Sequence, residues 1–352
     1  MPKSNRGTNG SKGREILVTG GAGYIGSHAV KALAKAGYDV AILDNVSAGH
    51  IEAVRALGDF KVHRVDLQDK QAVQNVFEQH RFSGVIHFAG ATLVGESVRQ
   101  PEKYYMTNVF GGMNLLNACR DHGVNHIVFS STCATYGIPK DVPIGEDHPQ
   151  NPINPYGCSK LAFEQMLESY NVAHGITYLA PRYFNAAGAD PDGQLGEDHD
   201  PETHLIPNVY RAALGQLDHL TVFGRDYPTA DGTCVRDYIH VCDLARAHVI
   251  GLEYLMAGGK SERVNLGTGK GYSVLDVIKA CEEACGQKIK VVDAPRREGD
   301  APALVAKPEK AQKLLNFTCQ RSDIKTICAD AWRWHSSHPH GYKSSVQELA
   351  AH

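Results

Sequence analysis

The chain has no Cys-x-x-Cys pair, no His-Glu-x-x-His motif and no strong excess of either charge. It also has no apolar run near the roughly 20 residues that a membrane helix needs. Each absence removes a class of function. Nine cysteines in 352 residues, an odd number, argue against a disulfide framework and for reduced thiols in a cytosol-like, cytoplasmic setting. Cys281 and Cys285 are four apart with no second ligand pair to join them, so they are read as buried apolar side chains. The 18 histidines are scattered, and no metal site is expected. A formal charge of -3 gives no electrostatic case for nucleic acid or an anionic membrane as partner. Residues 1–14, MPKSNRGTNGSKGR, are polar and basic, without the apolar centre of a signal peptide, and read as a disordered tail. With 42% hydrophobic and 21% charged residues, the rest reads as a soluble globular protein.

What is present is a βαβ rhythm. Short apolar strands at 15–20, 39–45, 60–67, 84–90 and 126–137 alternate with helical patterns at 25–37, 71–80 and 104–123. A helix at 156–175 and a strand at 177–185 continue it. This alternation predicts an α/β fold with a doubly wound parallel Rossmann sheet. After Asn185 the chain becomes rich in Gly, Asp and Pro, which marks a smaller second domain. The expectation is a dinucleotide-binding domain over 15–185, with 235–266 returning to it. A substrate domain over 186–234 and 267–343 is interleaved with it.

The stretch TGGAGYIG, residues 19–26, follows the first strand and opens the first helix. Gly20, Gly23 and Gly26 let backbone approach a pyrophosphate at the helix N-terminus, with Tyr24 and Ile25 in the same loop. The second strand ends in Asp44-Asn45, 18 residues after Gly26. An acidic residue there accepts from the adenosine ribose hydroxyls and repels a 2′-phosphate, so the cofactor is expected to be NAD. Asp66 and Leu67 end the third strand, where adenine should lie; Asp66 as a helix N-cap is the alternative. Phe88, Ala89 and Gly90 end the fourth strand and should face the cofactor at the switch point. Asn108 reads either as a cofactor contact or as a buried polar residue that holds backbone.

In NPYGCSK, Tyr156 and Lys160 stand four apart, on one helix face. A neighbouring ammonium favours a phenolate, so the pair reads as a proton-transfer device with a lowered tyrosine pKa. The fifth strand delivers Ser130, Ser131 and Thr132 to the same edge.

These stretches, with VIHFAG, FSSTCATYG, RYFNAAGA, DGTCVRDYIHVCDLA, NLGTGKGYSVLDV and APRREGD, resemble the extended short-chain dehydrogenase/reductase family. Within it, the chain is similar to the nucleotide-sugar C4-epimerases over about residues 15–342. The resemblance implies UDP-glucose/UDP-galactose interconversion through a 4-keto sugar, with NAD kept bound, in a homodimer. It implies Tyr156 as base, Lys160 on the nicotinamide ribose and Thr132 on the sugar oxygen, with Ser130 and Phe184 also at the cofactor. It further implies Arg236 and Arg297 on the diphosphate, Asn185 on a phosphate, Asp300 on ribose and Phe223 on uracil. His204 and Leu205 would line the sugar-nucleotide. Leu304 would border the sugar pocket, where leucine in place of a bulkier tyrosine leaves room for an N-acetyl group. Thr132 is followed by Cys133-Ala134, without the carboxylates that 4,6-dehydratases carry there, so dehydration is rejected. The alternatives are an epimerase of UDP-N-acetylglucosamine or of a UDP-pentose, and a non-catalytic NAD-sensing protein on the same fold. The latter would not need the Tyr–Lys pair.

Overall fold

The computed structural model describes residues 15–297 and 299–343; the expected tail at 1–14 lies outside the described residues. Fourteen strands occur among them, in chain order β1 (Glu15–Thr19), β2 (Asp39–Asp44), β3 (Lys61–Arg64), β4 (Phe82–His87), β5 (His126–Phe129), β6 (Ser131–Thr132), β7 (Thr177–Tyr183), β8 (Asn185–Ala187), β9 (Leu220–Phe223), β10 (Val235–His240), β11 (Glu262–Leu266), β12 (Gly271–Ser273), β13 (Val291–Ala294) and β14 (Ala303–Leu304). The main sheet is parallel throughout, in the order β11-β7-β5-β4-β1-β2-β3, with β6 beside the end of β7. The expected doubly wound sheet is therefore present. Its order reverses between β1 and β4, which opens a crevice beyond their carboxyl ends.

The strands are apolar along their length because both faces are covered. Ile16, Val18, Ile42 and Leu179 belong to one core and Leu17, Leu43, Val85 and Phe129 to the other. A third core joins Val209, Tyr210, Val222, Val277, Ile278, Ile327 and Cys328 beneath β9 and the helices Leu205–Ala213, Val274–Cys285 and Ile324–Ser337. Strand β10 meets both regions. Its second half pairs with β8, and its first half pairs with β12 and β14.

The helix expected over 104–123 is interrupted. Pro101–Tyr104 runs into a π-helical stretch, Tyr105–Phe110, before the α-helix Gly111–Asp121 resumes. Such bulges displace side chains from the regular 3.6-residue spacing. Here the stretch carries Asn108, which is held by Ala91, beyond the end of β4, and by Ser159 on the helix Pro155–His174.

The helix Pro155–His174 starts where its sequence dictates. The Asn154 side chain accepts from the Gly157 N–H at 2.8 Å, Pro155 takes the first position, and Gly175 ends the helix at φ +71°. Its buried face carries Tyr156, Lys160 and Glu164. Arg182 on β7 donates to Glu164 through Nε at 2.9 Å and through Nη2 at 2.5 Å, and the Ser131 hydroxyl donates to Oε1 at 2.5 Å. Glu164 and Arg182 are fully buried, and Arg263 also donates to Glu164 Oε2 through Nε at 3.1 Å, so the carboxylate is held by two guanidinium groups. Removing one partner of such a pair costs about 3–5 kcal/mol. Glu164→Gln should lower unfolding free energy by that amount in denaturant titration, with the variant still binding its ligands when folded.

Candidate active site

Gly20 follows β1 at φ +72°, and its N–H donates to the Leu43 carbonyl. A Cβ there would stand 2.5 Å from the Ala89 nitrogen, and a Cβ on Gly26 would run into the Gly20 carbonyl. Both glycines are fixed by backbone packed on backbone. Gly23 is different: a Cβ there would meet only Gly20 O, at 3.3 Å, and the space beside it is otherwise open. The helix Tyr24–Lys35 begins with no side-chain cap, which leaves its first amides for an anion. Tyr24 and Ile25 contribute backbone here. The Tyr24 hydroxyl donates to Gly188 O at 2.6 Å, and Ile25 packs on the core.

Asp44 is buried at the end of β2. It accepts from the N–H of Ala22 at 2.9 Å and of Val46 at 2.8 Å, which braces the glycine loop and leaves further lone pairs. Asn45 donates to Asp66 at 2.9 Å, and Asp66 accepts from Gln68 N–H. Asp66 is not the helix cap considered above; Asp69 is, accepting from Ala72 N–H. Leu67 departs from the cofactor-contact expectation in its side chain, which is buried in a sheet core, while its carbonyl accepts from Asn114. The apolar side chain follows the burial gradient into the sheet rather than the crevice. Phe88 likewise packs its ring 4.7 Å from that of His248, so Phe88, Ala89 and Gly90 present mainly backbone.

Asn108 is saturated by protein. Its Oδ1 accepts from Ala91 N–H at 2.8 Å, and its amide donates to Ala91 O and to the Ser159 hydroxyl. Of the two readings of Asn108, the one that holds backbone matches this geometry. A Cβ on Gly90 would lie 2.9 Å from Asn108 Oδ1 and 3.6 Å from Lys160 Nζ, so the β4 turn, the π-helical stretch and Lys160 meet at one point.

Tyr156 and Thr132 are brought together: both are buried, and the Thr132 side chain lies close enough to act on the Tyr156 hydroxyl, while its Oγ1 accepts from Ala134 N–H at 3.1 Å. Lys160 is also buried. Its ammonium donates to Ser130 O at 2.9 Å and lies 4.8 Å from the Phe129 ring centre. The Ser130 hydroxyl is 2.7 Å from that of Tyr183. The electrostatics run against the expectation of a lowered tyrosine. Burial raises the Tyr156 pKa well above its ordinary value, Tyr183 adds to the rise, and the Thr132 hydrogen bond opposes it. Burial pushes Lys160 down to about 8, with Glu164 opposing. The ammonium is engaged by a carbonyl and a ring, so it does not by itself hold a phenolate. Burial pushes Tyr183 up to about 12.

The residues expected at the nucleotide also converge. Arg236 Nη1 donates to Val235 O and Ala301 O, both at 2.9 Å, and Nη2 stands 3.6 Å from Asp300. Arg297 Nε donates to the other Asp300 oxygen at 3.1 Å, with its guanidinium 5.1 Å from the Phe223 ring centre. Phe223 is 39% exposed, with the Arg297 guanidinium over its ring. Leu304 is opposite Arg236 in the β10–β14 register and packs with Cys133, Tyr136 and Phe184, which links the arginines to the Thr132 edge. Asn185 pairs with Tyr238 in β8–β10. Leu205 starts the helix Leu205–Ala213 and packs on the third core. His204 caps that helix, but its Nδ1 contacts Glu197, so its ring is committed to a carboxylate.

Sequence reasoning missed Tyr183, Glu164 and Arg182. Tyr183 is opposite Thr132 in the β6–β7 register, a pairing across 51 residues of chain that no local pattern reveals. Its only local signal is a strand end next to Phe184.

Residues 16–267 match the NAD dependent epimerase/dehydratase family. The chain belongs to this family. A UDP-glucose 4-epimerase of Halalkalibacterium halodurans is 50% identical over 333 residues, which cover 95% of this chain and 99% of the relative. The fold is similar to that of UDP-glucose 4-epimerase from Brucella ovis in complex with NAD, with TM-score 0.88, 50% identity and coverage of 91% of this chain and 97% of the other. It is also similar to that from Bifidobacterium longum in complex with NAD+ and UDP, with TM-score 0.89, 41% identity and coverage of 93% and 99%.

The depressed Lys160 pKa has a stability consequence. The unfolded chain binds this proton more strongly, so the buried ammonium costs stability below pH ~8, and the cost fades as pH rises from there towards the ordinary lysine value. Lys160→Met in cofactor-free protein should therefore raise stability by roughly 1–3 kcal/mol at pH 7, with the gain shrinking as pH approaches 10. Calorimetry across that range measures it.

Proposed function

We propose that this chain interconverts UDP-glucose and UDP-galactose by inverting C4 of the sugar, with NAD held throughout. The observation that carries this reading is that the buried helix face with Tyr156 and Lys160 meets the sheet edge Ser130–Thr132, where Lys160 donates to Ser130 O, next to the switch-point crevice. The uncapped helix start, the open side of Gly23 and the spare lone pairs of Asp44 fit a dinucleotide. When bound, NAD supplies a hydride acceptor and donor for C4. The chain's own groups do the rest. Tyr156 takes the proton from the 4-hydroxyl and returns it to the ketone oxygen, and Thr132 orients that oxygen. Lys160 holds the ribose hydroxyls of the nicotinamide half.

Arg236 and Arg297 supply charge-assisted bonds to the diphosphate once Asp300 turns to ribose. Phe223 offers a stacking face to uracil, and Asn185 and Leu205 line the path between. The lobes expected from sequence, 15–185 with 235–266 and then 186–234 with 267–343, would place the nucleotide sugar between them. A cytosolic setting and a homodimer belong to this proposal. All nine cysteines are free, and among the described residues no helix is long and apolar enough to cross a membrane.

Tyr156→Phe should keep bound NAD, assayed after denaturation, while kcat falls about 10²–10⁴-fold. Near wild-type kcat would assign the base elsewhere. A panel of UDP-sugars tests the substrate. Leucine at 304 leaves a wall for an acetyl methyl, worth roughly 1 kcal/mol, so weak turnover of UDP-N-acetylglucosamine is expected beside the main activity. Leu304→Tyr should reduce kcat/KM for the N-acetyl sugar far more than for UDP-galactose; an equal loss on both would remove position 304 from specificity.

A further inference from the structure

The segment between β8 and the helix Leu205–Ala213 gathers four side chains that the sequence spacing did not single out together. One donor atom from each of Glu197, His199, Glu202 and His204 lies within 4.8 Å of every other. The carboxylates are nearly sealed, with side chains 4% and 6% exposed for Glu197 and Glu202. Two buried carboxylates this close need cations, because a buried charge persists only when paired or bound to metal. The edges of the cluster are informative. His199 Nδ1 is 3.3 Å from Glu197 and 3.6 Å from Glu202, and His204 Nδ1 is 3.5 Å from Glu202. Donors bound tetrahedrally at ~2.0–2.1 Å stand about 3.3 Å apart; the His199–Glu197 edge has this length, and the two contacts to Glu202 use its two oxygens, Oε2 towards His199 and Oε1 towards His204. The fourth, from His204 to Glu197, is shorter, at 2.5 Å. His199 Nδ1 is buried and has no hydrogen-bond partner, despite the carboxylates around it. A nitrogen sealed from water and misaligned with its neighbours is the feature that a hydrogen-bonded cluster leaves unexplained.

We propose that Glu197, His199, Glu202 and His204 form a binding site for one divalent cation of the zinc class. Two imidazoles with two carboxylates suit a borderline metal; hard cations such as Mg²⁺ prefer oxygen alone. Four protein ligands close a tetrahedral shell, so the ion is structural and takes no part in the sugar chemistry. The surroundings orient the ligands, as outer contacts do in metal sites. Glu202 Oε1 also accepts from the N–H groups of Thr203 and His204, and the Tyr24 ring meets His199 edge-on at 6.1 Å. All four ligands come from eight consecutive residues, so the ion ties one loop together. That loop ends at Leu205, and the ion thereby fixes the start of a helix that lines the proposed substrate path.

The test uses the full chain without an affinity tag, loaded with NAD. It is incubated with zinc sulfate, dialysed against metal-free buffer and assayed for metal by mass spectrometry. One zinc per chain is expected, with a melting temperature that rises with zinc and does not respond to Mg²⁺. His199→Asn and, separately, Glu202→Gln should each reduce zinc to background. X-ray absorption at the zinc edge of the wild type should show imidazole and oxygen ligands without sulfur, which decides the matter even if both variants fail to fold. Background zinc in the wild type, zinc retained by either folded variant, or thiolate coordination overturns the proposal. The cluster would then be an ion-pair network with charged imidazoles. None of these readouts depends on epimerase activity.

Discussion

The buried ion pair between Glu164 and Arg182 sets the distance on which the candidate site depends. Glu164 lies one helical turn beyond Lys160 and two beyond Tyr156, on the same face. Arg182 lies on β7, and Ser131, which also binds Glu164, is the neighbour of Thr132. The network thus clamps the helix that carries two of the proposed catalytic groups to the strand edge that carries the third. Tyr136 extends it, donating to Asn265 while accepting from Arg182. A buried pair of this kind adds little stability over apolar packing, but it is costly to break and permits one arrangement. Its contribution here is register.

Burial has a second effect at the same place. The helix that presents Tyr156 also removes it from water, which disfavours the phenolate. Lys160 shares the burial and its ammonium is weakened in turn. A protein-only account therefore leaves the tyrosine protonated. In the proposed mechanism the cationic, oxidised cofactor supplies the further positive charge that favours the phenolate.

Much of this was legible in the sequence, because the signals are local. The glycine loop, the acidic end of β2 and the Asn-Pro-Tyr start of the helix each combine a residue type with a backbone need, and each element formed where its pattern lay. What was not legible depends on long-range register. Glu164 and Arg182 read as an ordinary helix glutamate and a strand arginine, and only the packing of helix on sheet makes them partners. In the chain without cofactor the Tyr156 shift runs upward for the same reason: spacing puts Lys160 on the same helix face, but the Phe129 ring at the end of β5 and the Ser130 carbonyl just beyond it engage the ammonium. Leu67 and Asn108 show that a residue at a strand end or on a facing helix can serve the frame of a site rather than its ligand. The carboxylate–histidine cluster at 197–204 was passed over because His199 and His204, at a ligand-like spacing, were read among scattered histidines, with no helix or second ligand pair to mark them.

The most direct measurement is the ionisation of Tyr156 in the protein loaded with oxidised and with reduced NAD. Ultraviolet titration of the wild type minus Tyr156→Phe isolates this tyrosine from the other fourteen. The account predicts a pKa near the neutral range with the cationic, oxidised cofactor and one above the ordinary value of about 10 with the reduced form. The same pKa in both forms would contradict it.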